Sequence, residues 1–354
     1  MLCRVLIGAC EGCNYPAQTA LVAQWIPACE RTSAWTFLTT GEAMGTVLAM
    51  VSSPYLAQVG GWELIFYVSG GFGVVWLVLF GLLVTRSPET HPYISAAERD
   101  YIVAGRRATL GDVTVPTFCS VPWGAFLRYP PFWGAVTAHF CYNYMSFLAL
   151  SLGPYFFQST YKVDISSASS GLGYFSCLPY VLLFVAQGVA GVVADWLANT
   201  GRLSMTHVRK LFNTLGLLFA ATFFGMLGSP IIQHGTNDHR GMMLAMSLLT
   251  AGVGIGGVAI CGHWNNYYDM SSKYGPHLLG IGTTIATLPG MITNIVSGEI
   301  LDMIDRDPSD TGEAWSLVFL VAAGVSLFGA VVFLVLADAK QVDFEQRGNG
   351  NKRR

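Results

Sequence analysis

Two ionisable residues lie in an apolar stretch near the start of the chain. Arg4 and Glu11 are seven residues apart, and two helical turns bring them to nearly the same face of a helix. An ionisable group inside a membrane span costs ~2.5–3.5 kcal/mol on insertion scales and usually faces a cavity or a partner. We therefore interpret Arg4 as a contact for an anionic solute and Glu11 as a protonatable coupling group. The alternative is an Arg near the helix end that reaches the membrane surface, together with a structurally paired Glu.

Further polar residues interrupt later apolar stretches. Glu42 is another acid in such a stretch, and it can take part in transport or pair with a base. Tyr142 and Asn143 can hydrogen-bond a polar solute, or can join neighbouring helices by side-chain hydrogen bonds. Two groups of polar and aromatic residues contain these candidates and Asn266: His139, Tyr142, Asn143 and Tyr144, and then His263, Trp264, Asn265, Asn266 and Asp269. The second group lies where a helix ends, so its polar residues have a simple structural explanation.

A third pattern combines an acid with bases across a tight loop. Asp195 is followed by Gly201-Arg202 and by Arg209-Lys210. A carboxylate close to these bases predicts a conformational latch of Asp195, Arg202 and Arg209. Its ion pairs would be intact in only one of two conformations and would favour that one.

The chain lacks the patterns of an enzyme. We find no nucleophile–base pair and no phosphate-binding loop in the sequence, and its His residues are dispersed. Cys10-x-x-Cys13 has no second ligand pair nearby and is better explained by small residues that pack in a helix. We expect no catalytic residue, no metal and no cofactor.

The composition excludes a water-soluble globular protein. The 354 residues are 53% hydrophobic and only 11% charged, whereas soluble domains carry roughly 25% charged residues. The 40 glycines are also typical of membrane helices, in which Gly lets backbones approach closely. A formal net charge of −2 gives no sign of nucleic-acid binding. We therefore expect an all-α, multi-pass protein embedded in the lipid bilayer.

Nine apolar windows are long enough to cross a bilayer as helices. They lie at about 2–25, 33–58, 63–84, 132–157, 168–194, 209–230, 242–263, 277–303 and 314–337. The Pro-containing polar interval 85–130 predicts a linker between groups of three and six spans. Helix breaks are expected at Gly12 to Pro16, Pro54, Pro179 and Pro289-Gly290, and such breaks allow helices to bend during transport.

The basic residues favour one orientation in the membrane. Cytosolic loops carry an excess of Lys and Arg, and a cytosolic C-terminus places 15 of them inside and three outside. The inside set is Arg31, Arg86, Arg99, Arg106, Arg107, Arg128, Arg202, Arg209, Lys210, Lys273, Lys340, Arg347, Lys352, Arg353 and Arg354. Nine spans then put the N-terminus outside, one residue before a span, which predicts that further helices precede this chain.

Several motifs resemble the anion:cation symporter family of the major facilitator superfamily, which includes sialin, the vesicular glutamate transporters and the type I sodium–phosphate cotransporters. Arg4-x6-Glu11-Gly12-x-x-Tyr15-Pro16-Ala17 and then Trp25-Ile-Pro27-x-x-Glu30-Arg31 are similar to its fourth span and following loop. Segment 191–210 resembles the superfamily signature G-x-x-x-D…G-R…R-K. The linker from Ser87 to Ile102 and segments 208–213 and 280–291 also correspond, so the resemblance runs from residue 2 to about 340.

The resemblance implies a twelve-span major facilitator fold, of which this chain holds nine spans, the fourth to the twelfth. Residues 1–84 are then the remainder of the N-terminal half, 85–130 a cytosolic linker, 131–340 the six-helix C-terminal half, and 341–354 a polar cytosolic tail. Arg4 and Glu11 occupy the family's substrate and proton-coupling positions. Asn266 matches the Asn of its Asn-His-Leu-Asp motif, in which Tyr267 here replaces the His.

The implied function is secondary active transport, by alternating access, of a small organic or inorganic anion coupled to H⁺ or Na⁺. Vesicular glutamate transporters carry an Arg where this chain has Tyr142, and residues 138–143 are more similar to sialin. Glutamate is therefore disfavoured, which leaves acidic sugars, phosphate or other organic anions. The alternative is a truncated membrane protein that does not transport and that regulates or assembles with full-length homologues.

Overall fold

The structure is a computed structural model. It describes residues 2–12, 14–27, 31–110, 121–162, 177–229, 239–271, 273–306, 311–342 and 344. All regular structure in these residues is helical, which confirms the predicted all-α class.

The helices are numbered along the chain. They are α1 Leu2–Glu11, α2 Asn14–Trp25, α3 Arg31–Gly60, α4 Trp62–Leu83, α5 Ala96–Leu110, α6 Trp123–Leu127, α7 Pro130–Tyr161, α8 Leu178–Asn199, α9 Met205–Leu227, α10 His239–Gly256, α11 Ile260–Met270, α12 Gly275–Ala286, α13 Pro289–Arg306 and α14 Thr311–Leu336. Short 3-10 turns lie at Pro88–Thr90 and at Gly257–Ala259, the second of which joins α10 to α11.

The described helices are those of a multi-pass membrane protein. Six helical segments are long and apolar enough to cross a bilayer: Trp62–Leu83, Leu178–Asn199, Met205–Leu227, His239–Met270, Gly275–Asp302 and Gly312–Leu336. Helices α1 with α2, α3 and α7 coincide with the other three predicted windows. The count of nine spans stays a prediction.

Two of the four expected helix breaks are present. The chain leaves helical geometry between α1 and α2, near Gly12, and again before Pro289, where α13 begins. The breaks expected at Pro54 and Pro179 are wrong. Helix α3 continues through Pro54, and Pro179 lies in the first turn of α8, where its missing N–H needs no partner.

The C-terminal helices share an extensive apolar core. Helix α7 packs against α14, and α9 packs against both α14 and α10. Trp315 and Phe333 of α14 and Phe224 of α9 are fully buried there. Close approach depends on Gly216 of α9, because a Cβ at this position would collide with the backbone nitrogen of Ala259. Small residues at helix contacts are the usual means of close packing in membranes.

The N-terminal helices are packed much more sparsely. No residue of α4 is buried, and the main contact of α4 is with α3. Helix α3 lies against α8, and α2 lies against α12. These contacts bring the first group of helices against the C-terminal group and enclose a cavity between them.

The linker is attached to the N-terminal group by polar contacts. Arg106 of α5 donates from Nη1 to Gln24 Oε1 of α2 at 2.7 Å and from Nη2 to Glu89. Trp25 Nε1 donates to the carbonyl oxygen of Thr85 at 3.0 Å. The backbone N–H of Glu98 donates to Ser95 Oγ at 3.2 Å, which caps the start of α5.

Candidate functional site

A cavity of about 390 Å³ lies between the two groups of helices. Glu11 of α1 and Glu42, Ala43 and Thr46 of α3 form one wall. The other wall belongs to α7, α8, α11 and α12. Cavities of this size hold small molecules, and a position between helix groups is where a solute path is expected.

The first wall of the cavity is acidic. Glu11 ends α1, and Glu42 lies in the middle of α3, so both predicted membrane acids line the cavity. Glu42 is also within electrostatic range of the Tyr142 hydroxyl on the facing wall. Arg4 belongs to α1, but its side chain is outside the described residues. Its predicted proximity to Glu11 therefore stays a prediction.

One face of α7 supplies much of the opposite wall. His139, Tyr142, Asn143 and Ser146 line the cavity, and their spacing of three and four residues places them on the same side of a helix. Tyr142 Oη accepts a hydrogen bond from Gln187 Nε2 of α8 at 3.4 Å. The structure thus brings Glu11, Tyr142 and Asn143 together around one space.

Asn143 also makes a structural contact. Its Nδ2 donates to the carbonyl oxygen of Ala286, at the end of α12, at 2.7 Å. In a continuous helix this oxygen would accept from Gly290, whose N–H instead bonds Thr287. The side chain of Asn143 therefore satisfies a carbonyl that the break between α12 and α13 leaves free. The interpretation of Asn143 as a residue that joins helices is therefore confirmed, and its role as a solute contact stays a prediction.

Two buried histidines form a pair beside the cavity. The rings of His139 and His263 stack with centroids 5.1 Å apart at an angle of 25°, and both residues line the cavity. His263 Nδ1 lies 3.0 Å from Asn213 Oδ1 of α9. His139 Nδ1 and His263 Nε2 are buried without a hydrogen-bond partner among the described residues. The pair thus joins α7 to α11 and leaves buried imidazole nitrogens unsatisfied.

Near the start of α9 and the end of α11, Arg209 forms a buried ion pair with Asp269. Its Nε lies 2.6 Å from Asp269 Oδ2, its Nη2 lies 3.4 Å from Asp269 Oδ1, and its Nη1 donates to the Cys261 carbonyl at 3.0 Å. Arg202 instead lies over the ring of Trp196, at 4.6 Å from its centroid. Of the three predicted latch residues, only Arg209 forms an ion pair among the described residues, and its partner is Asp269.

Comparison with known proteins identifies the family. A family model described as Major Facilitator Superfamily matches residues 1–293. The chain belongs to the major facilitator superfamily. The motif-based recognition and the predicted fold class are thereby confirmed. The superfamily relatives found are transporters, which agrees with the expectation that the chain is not an enzyme.

Relatives within the superfamily are similar over almost the whole chain. Vesicular glutamate transporter 1 of Bos taurus is 32% identical over 340 residues, which cover 96% of this chain and 57% of the relative. Sialin of Ovis aries is 31% identical over 334 residues, with coverages of 94% and 63%. Vesicular glutamate transporter 2 of Homo sapiens is 31% identical over 338 residues, with coverages of 96% and 55%. The chain thus spans little more than half the length of these relatives.

One solved structure shows a weaker likeness. It is a bacterial homolog of the human lysosomal transporter Spinster in an inward-facing and unoccupied conformation, with a TM-score of 0.49 and 13% identity. The alignment covers 95% of this chain and 74% of that one.

In this superfamily member, Asn266 is placed differently from the other predicted contacts for the solute and the coupling ion. It is fully buried on α11, one turn beyond His263, and is absent from the cavity wall. Neither Nδ2 nor Oδ1 of its amide has a hydrogen-bond partner among the described residues. Its role as a solute contact stays a prediction.

Sequence reasoning gave too little weight to His263 and Asp269. Both were attributed to a helix end, and nothing in their local pattern shows that α11 turns one face to α7 and another to α9. That geometry depends on Gly262, where a Cβ would lie 2.6 Å from the Arg209 carbonyl oxygen. Gly262 next to His263 was the available sequence signal for this close helix contact. The signal is weak because the chain contains 40 glycines.

Proposed function

We propose that this chain is the transporting part of a secondary transporter of small organic or inorganic anions, coupled to H⁺ or Na⁺. The observation that carries the proposal is the cavity of about 390 Å³ between the two helix groups, with Glu11 on one wall and polar residues of α7 and α11 on the other. A carboxylate within the membrane is costly unless it has a function or a partner. A carboxylate beside a solute-sized cavity can bind and release a proton as the cavity changes access.

The similarity to vesicular glutamate transporters and sialin supports this class of substrate. We propose a substrate other than glutamate, because Tyr142 lines the cavity at the position where the glutamate transporters carry an Arg. Acidic sugars, phosphate and other organic anions are the candidates. Arg4, Glu11, Tyr142, Asn143 and Asn266 are the proposed contacts for substrate and coupling ion.

The excess of basic residues on one side supports a cytosolic C-terminus. With that orientation, residues 1–84 form the remainder of an N-terminal half, 85–130 a cytosolic linker and 131–340 a C-terminal half. Alternating access then consists of movement of α1–α4 relative to α7–α14 about the cavity.

The latch of Asp195, Arg202 and Arg209 belongs to the same proposal. Asp195 lies within electrostatic range of Arg209, while Arg209 is paired with Asp269. An Arg shared between two carboxylates can exchange partners between conformers. Each pairing would then stabilise the conformation in which it forms.

Uptake by proteoliposomes tests the function. We would reconstitute the 354-residue chain and, in parallel, the product of the longest transcript that contains it. Uptake of radiolabelled phosphate, glutamate and an acidic sugar would be measured under imposed pH and sodium gradients. We expect gradient-driven uptake of phosphate or of the acidic sugar, and little uptake of glutamate. Failure of both preparations to take up any of them would contradict the proposal.

A Glu11→Gln variant tests the coupling role. We expect loss of uptake driven by a pH gradient, because the amide cannot bind the proton, with exchange of labelled for unlabelled anion retained. Thr46→Val, on the same cavity wall, is a size-matched comparison that retains every carboxylate. Loss of both uptake and exchange in Glu11→Gln would show that Glu11 has a structural role instead.

A second candidate function is a membrane protein that does not transport and that assembles with full-length homologues. The exposed apolar surface of α4 favours it, since Phe72, Trp76 and Leu82 are each more than 60% exposed. Blue-native electrophoresis with a tagged full-length relative tests this candidate. Co-migration of the two chains, together with absence of uptake by this chain alone, would support it.

A further inference from the structure

The segment that follows α14 is packed against the C-terminal helix group. The sequence predicts a polar tail over 341–354, but Val342 packs against the apolar core and Phe344 is only 1% exposed. We call residues 337–344 the strap, of which Asp343 is outside the described residues. The contacts of the strap show which helices it holds together.

An aromatic cradle holds the far end of the strap. The centroid of the Phe344 ring lies 4.5 Å from that of Phe126 in α6 and 5.5 Å from that of Tyr129, and both pairs meet edge to face. Phe126 is itself 1% exposed and meets Tyr274 edge to face at 5.4 Å. Such ring pairs add to the stabilisation that burial provides. Phe344 therefore fixes the strap to α6, a helix of the predicted linker.

The near end of the strap is hydrogen-bonded to the first turn of α9. Thr206 Oγ1 donates to Asp338 Oδ1 at 3.0 Å and accepts from the backbone N–H of Ala339 at 3.1 Å. The start of a helix carries partial positive charge and favours a nearby carboxylate. Thr206 thus joins α9 to the strap by two hydrogen bonds.

Between these two ends the strap caps α11. The backbone N–H of Val342 donates to the carbonyl oxygen of Met270, the last residue of α11, at 2.9 Å. The last carbonyl groups of a helix have no partner within the helix, and the strap supplies one. Met270 directly follows Asp269, whose carboxylate pairs with Arg209 of α9. The strap therefore bridges the same two helix ends that the buried ion pair joins.

We propose that the strap is a conformational lock that keeps the start of α9 and the end of α11 together and thereby holds Arg209 on Asp269. Loss of the Phe344 contacts would release the strap and allow Arg209 to pair with Asp195 instead. The strap then favours the conformation that contains the pair with Asp269. The consequence for transport rests on the proposed latch, whereas the lock itself requires no transported anion.

Hydrogen exchange of the full chain in phosphatidylcholine nanodiscs tests the lock. Phe344→Ala removes the ring that the aromatic cradle holds. We expect backbone amides 208–212 of α9 and 264–270 of α11 to exchange at least about fivefold faster than in the native protein, because a helix end opens more often once its contacts are lost. Phe328→Ala is the control, since Phe328 of α14 is 60% exposed. Its effect should be less than about twofold.

Thr206→Val tests the lock from its near end. This variant keeps the branched shape of the side chain and removes both hydrogen bonds to the strap. We expect faster exchange in residues 123–129, which the far end of the strap holds, and at the Val342 amide. Thr222→Val is the matched control, because the Thr222 hydroxyl donates to Leu218 of its own helix on an exposed surface. If Phe344→Ala does not fold, Thr206→Val still decides the question.

Asp195→Asn reports which carboxylate Arg209 pairs with. In the native protein that partner is Asp269, so Asp195→Asn should change the exchange of residues 192–198 less than about twofold. In the Phe344→Ala background we expect the same substitution to accelerate this exchange at least about threefold, because Arg209 then pairs with Asp195 in more of the molecules. A purely local packing role of Phe344 would not produce this dependence on the background.

The outcomes separate the lock from the proposed transport. Faster exchange confined to α6 in Phe344→Ala would show that Phe344 only packs locally, and the lock would be wrong. Unchanged exchange in both Phe344→Ala and Thr206→Val would also overturn it. If Asp195→Asn has the same small effect in both backgrounds, the strap does not control Arg209. Absence of anion uptake would contradict the proposed function and leave the lock intact.

Discussion

Helices α4 and α14 are both apolar enough to span a bilayer, but they are buried to very different extents. No residue of α4 is buried, whereas α14 fully buries Trp315 and Phe333 against α7 and α9. Hydropathy alone therefore shows that each helix belongs in a membrane, and it does not show what covers the helix. Lipid or further helices must cover α4, while the C-terminal helices largely cover one another.

The same division applies to the cavity. Glu11 and Glu42 come from the sparsely packed N-terminal helices, and the buried polar network of His139, His263 and Asn213 comes from the C-terminal helices. We infer that close packing in the C-terminal group provides most of the stability, and that the sparsely packed N-terminal group contributes carboxylates to the cavity. Substitutions in the C-terminal group should therefore have larger effects on unfolding than substitutions in the N-terminal group.

The buried ion pair of the C-terminal group should have the largest effect. Arg209→Ala leaves the carboxylate of Asp269 unpaired in a site where the two side chains are 7% and 17% exposed. Removal of one partner of a buried pair typically costs about 3–5 kcal/mol. We expect a loss of this size in the free energy of unfolding, measured by SDS titration in mixed micelles with tryptophan fluorescence.

Arg202→Ala is the matched control, because this exposed Arg lies over the Trp196 ring and has no ion pair among the described residues. Its loss should cost less than about 1 kcal/mol. Equal effects of the two substitutions would show that the ion pair with Asp269 is not a main support of the C-terminal group.

Glycine substitutions compare the two helix groups directly. Gly216→Leu places a side chain against the backbone of Ala259, whereas a Cβ added to Gly73 of α4 would have no neighbour within 4 Å among the described residues. Overpacking of a dense interior costs about 1–3 kcal/mol, and we expect the upper part of that range for Gly216→Leu. Gly73→Leu should be neutral or slightly stabilising, because Leu favours a helix more than Gly does.

Thermal unfolding in nanodiscs provides the measurement for this pair. A strong loss of stability in Gly73→Leu would mean that α4 packs against something closely, and the contrast between the two groups would then fail.

The fold was largely predictable from the sequence because hydropathy reports the solvent of each helix directly. The windows at 63–84 and 314–337 correspond to α4 and α14. Three of their four ends agree with the helix ends within one residue, and the start of α14 differs by three residues. Helix breaks were less predictable. A Pro in the first turn of a helix, such as Pro179, and a Pro that neighbouring turns tolerate, such as Pro54, look the same in sequence as one that ends a helix.

The site was predictable only in part. The cost of a charge in lipid identified Glu11 and Glu42 without any structure, and the group of polar and aromatic residues in one apolar stretch identified Tyr142 and Asn143. The partners of Asn143 and Arg209 were not predictable. Each contact joins residues more than 50 positions apart, and such contacts depend on how helices are arranged rather than on local sequence.

Asn143 provides a test of intermediate size within the C-terminal group. Asn143→Leu removes the donor to the Ala286 carbonyl at the break between α12 and α13. Loss of a partner for a buried polar group costs about 1–3 kcal/mol, and we expect the lower part of this range because Asn143 is only partly buried. The free energy of unfolding by SDS titration measures it.

Asn294→Leu is the matched control, since its Nδ2 donates to Gly290 of its own helix on an exposed surface. We expect a change of less than about 0.5 kcal/mol. If the two variants had the same free energy of unfolding, the hydrogen bond from Asn143 to Ala286 would not stabilise the break between α12 and α13.

The smallest effect should come from the polar attachment of the linker to the N-terminal group. The backbone N–H of Glu89 and contacts with Ser87 and Arg106 hold the pKa of Glu89 below its usual value, although partial burial opposes them. A carboxyl whose pKa is lowered by folding contributes stability above its unfolded pKa, and this contribution is lost as the pH falls through the folded pKa. Acidification below the ordinary Glu pKa of about 4.5 should therefore loosen α5, as should Glu89→Gln at neutral pH.

The expected loss is less than about 1 kcal/mol, because Glu89 is 42% exposed and solvent screens its pairing with Arg106. Hydrogen exchange of residues 96–106 would detect the loss as faster exchange in Glu89→Gln than in the native protein at neutral pH. The control is Asp100→Asn. On acidification, the exchange rate of Glu89→Gln should change no more than the exchange rate of this control. Among the described residues, Asp100 pairs with its neighbour Arg99 on an exposed surface. Unchanged exchange in Glu89→Gln would mean that apolar packing, such as the close approach of Gly105 to Pro27, holds the linker. The N-terminal group would then depend on apolar packing as the C-terminal group does, despite its greater exposure.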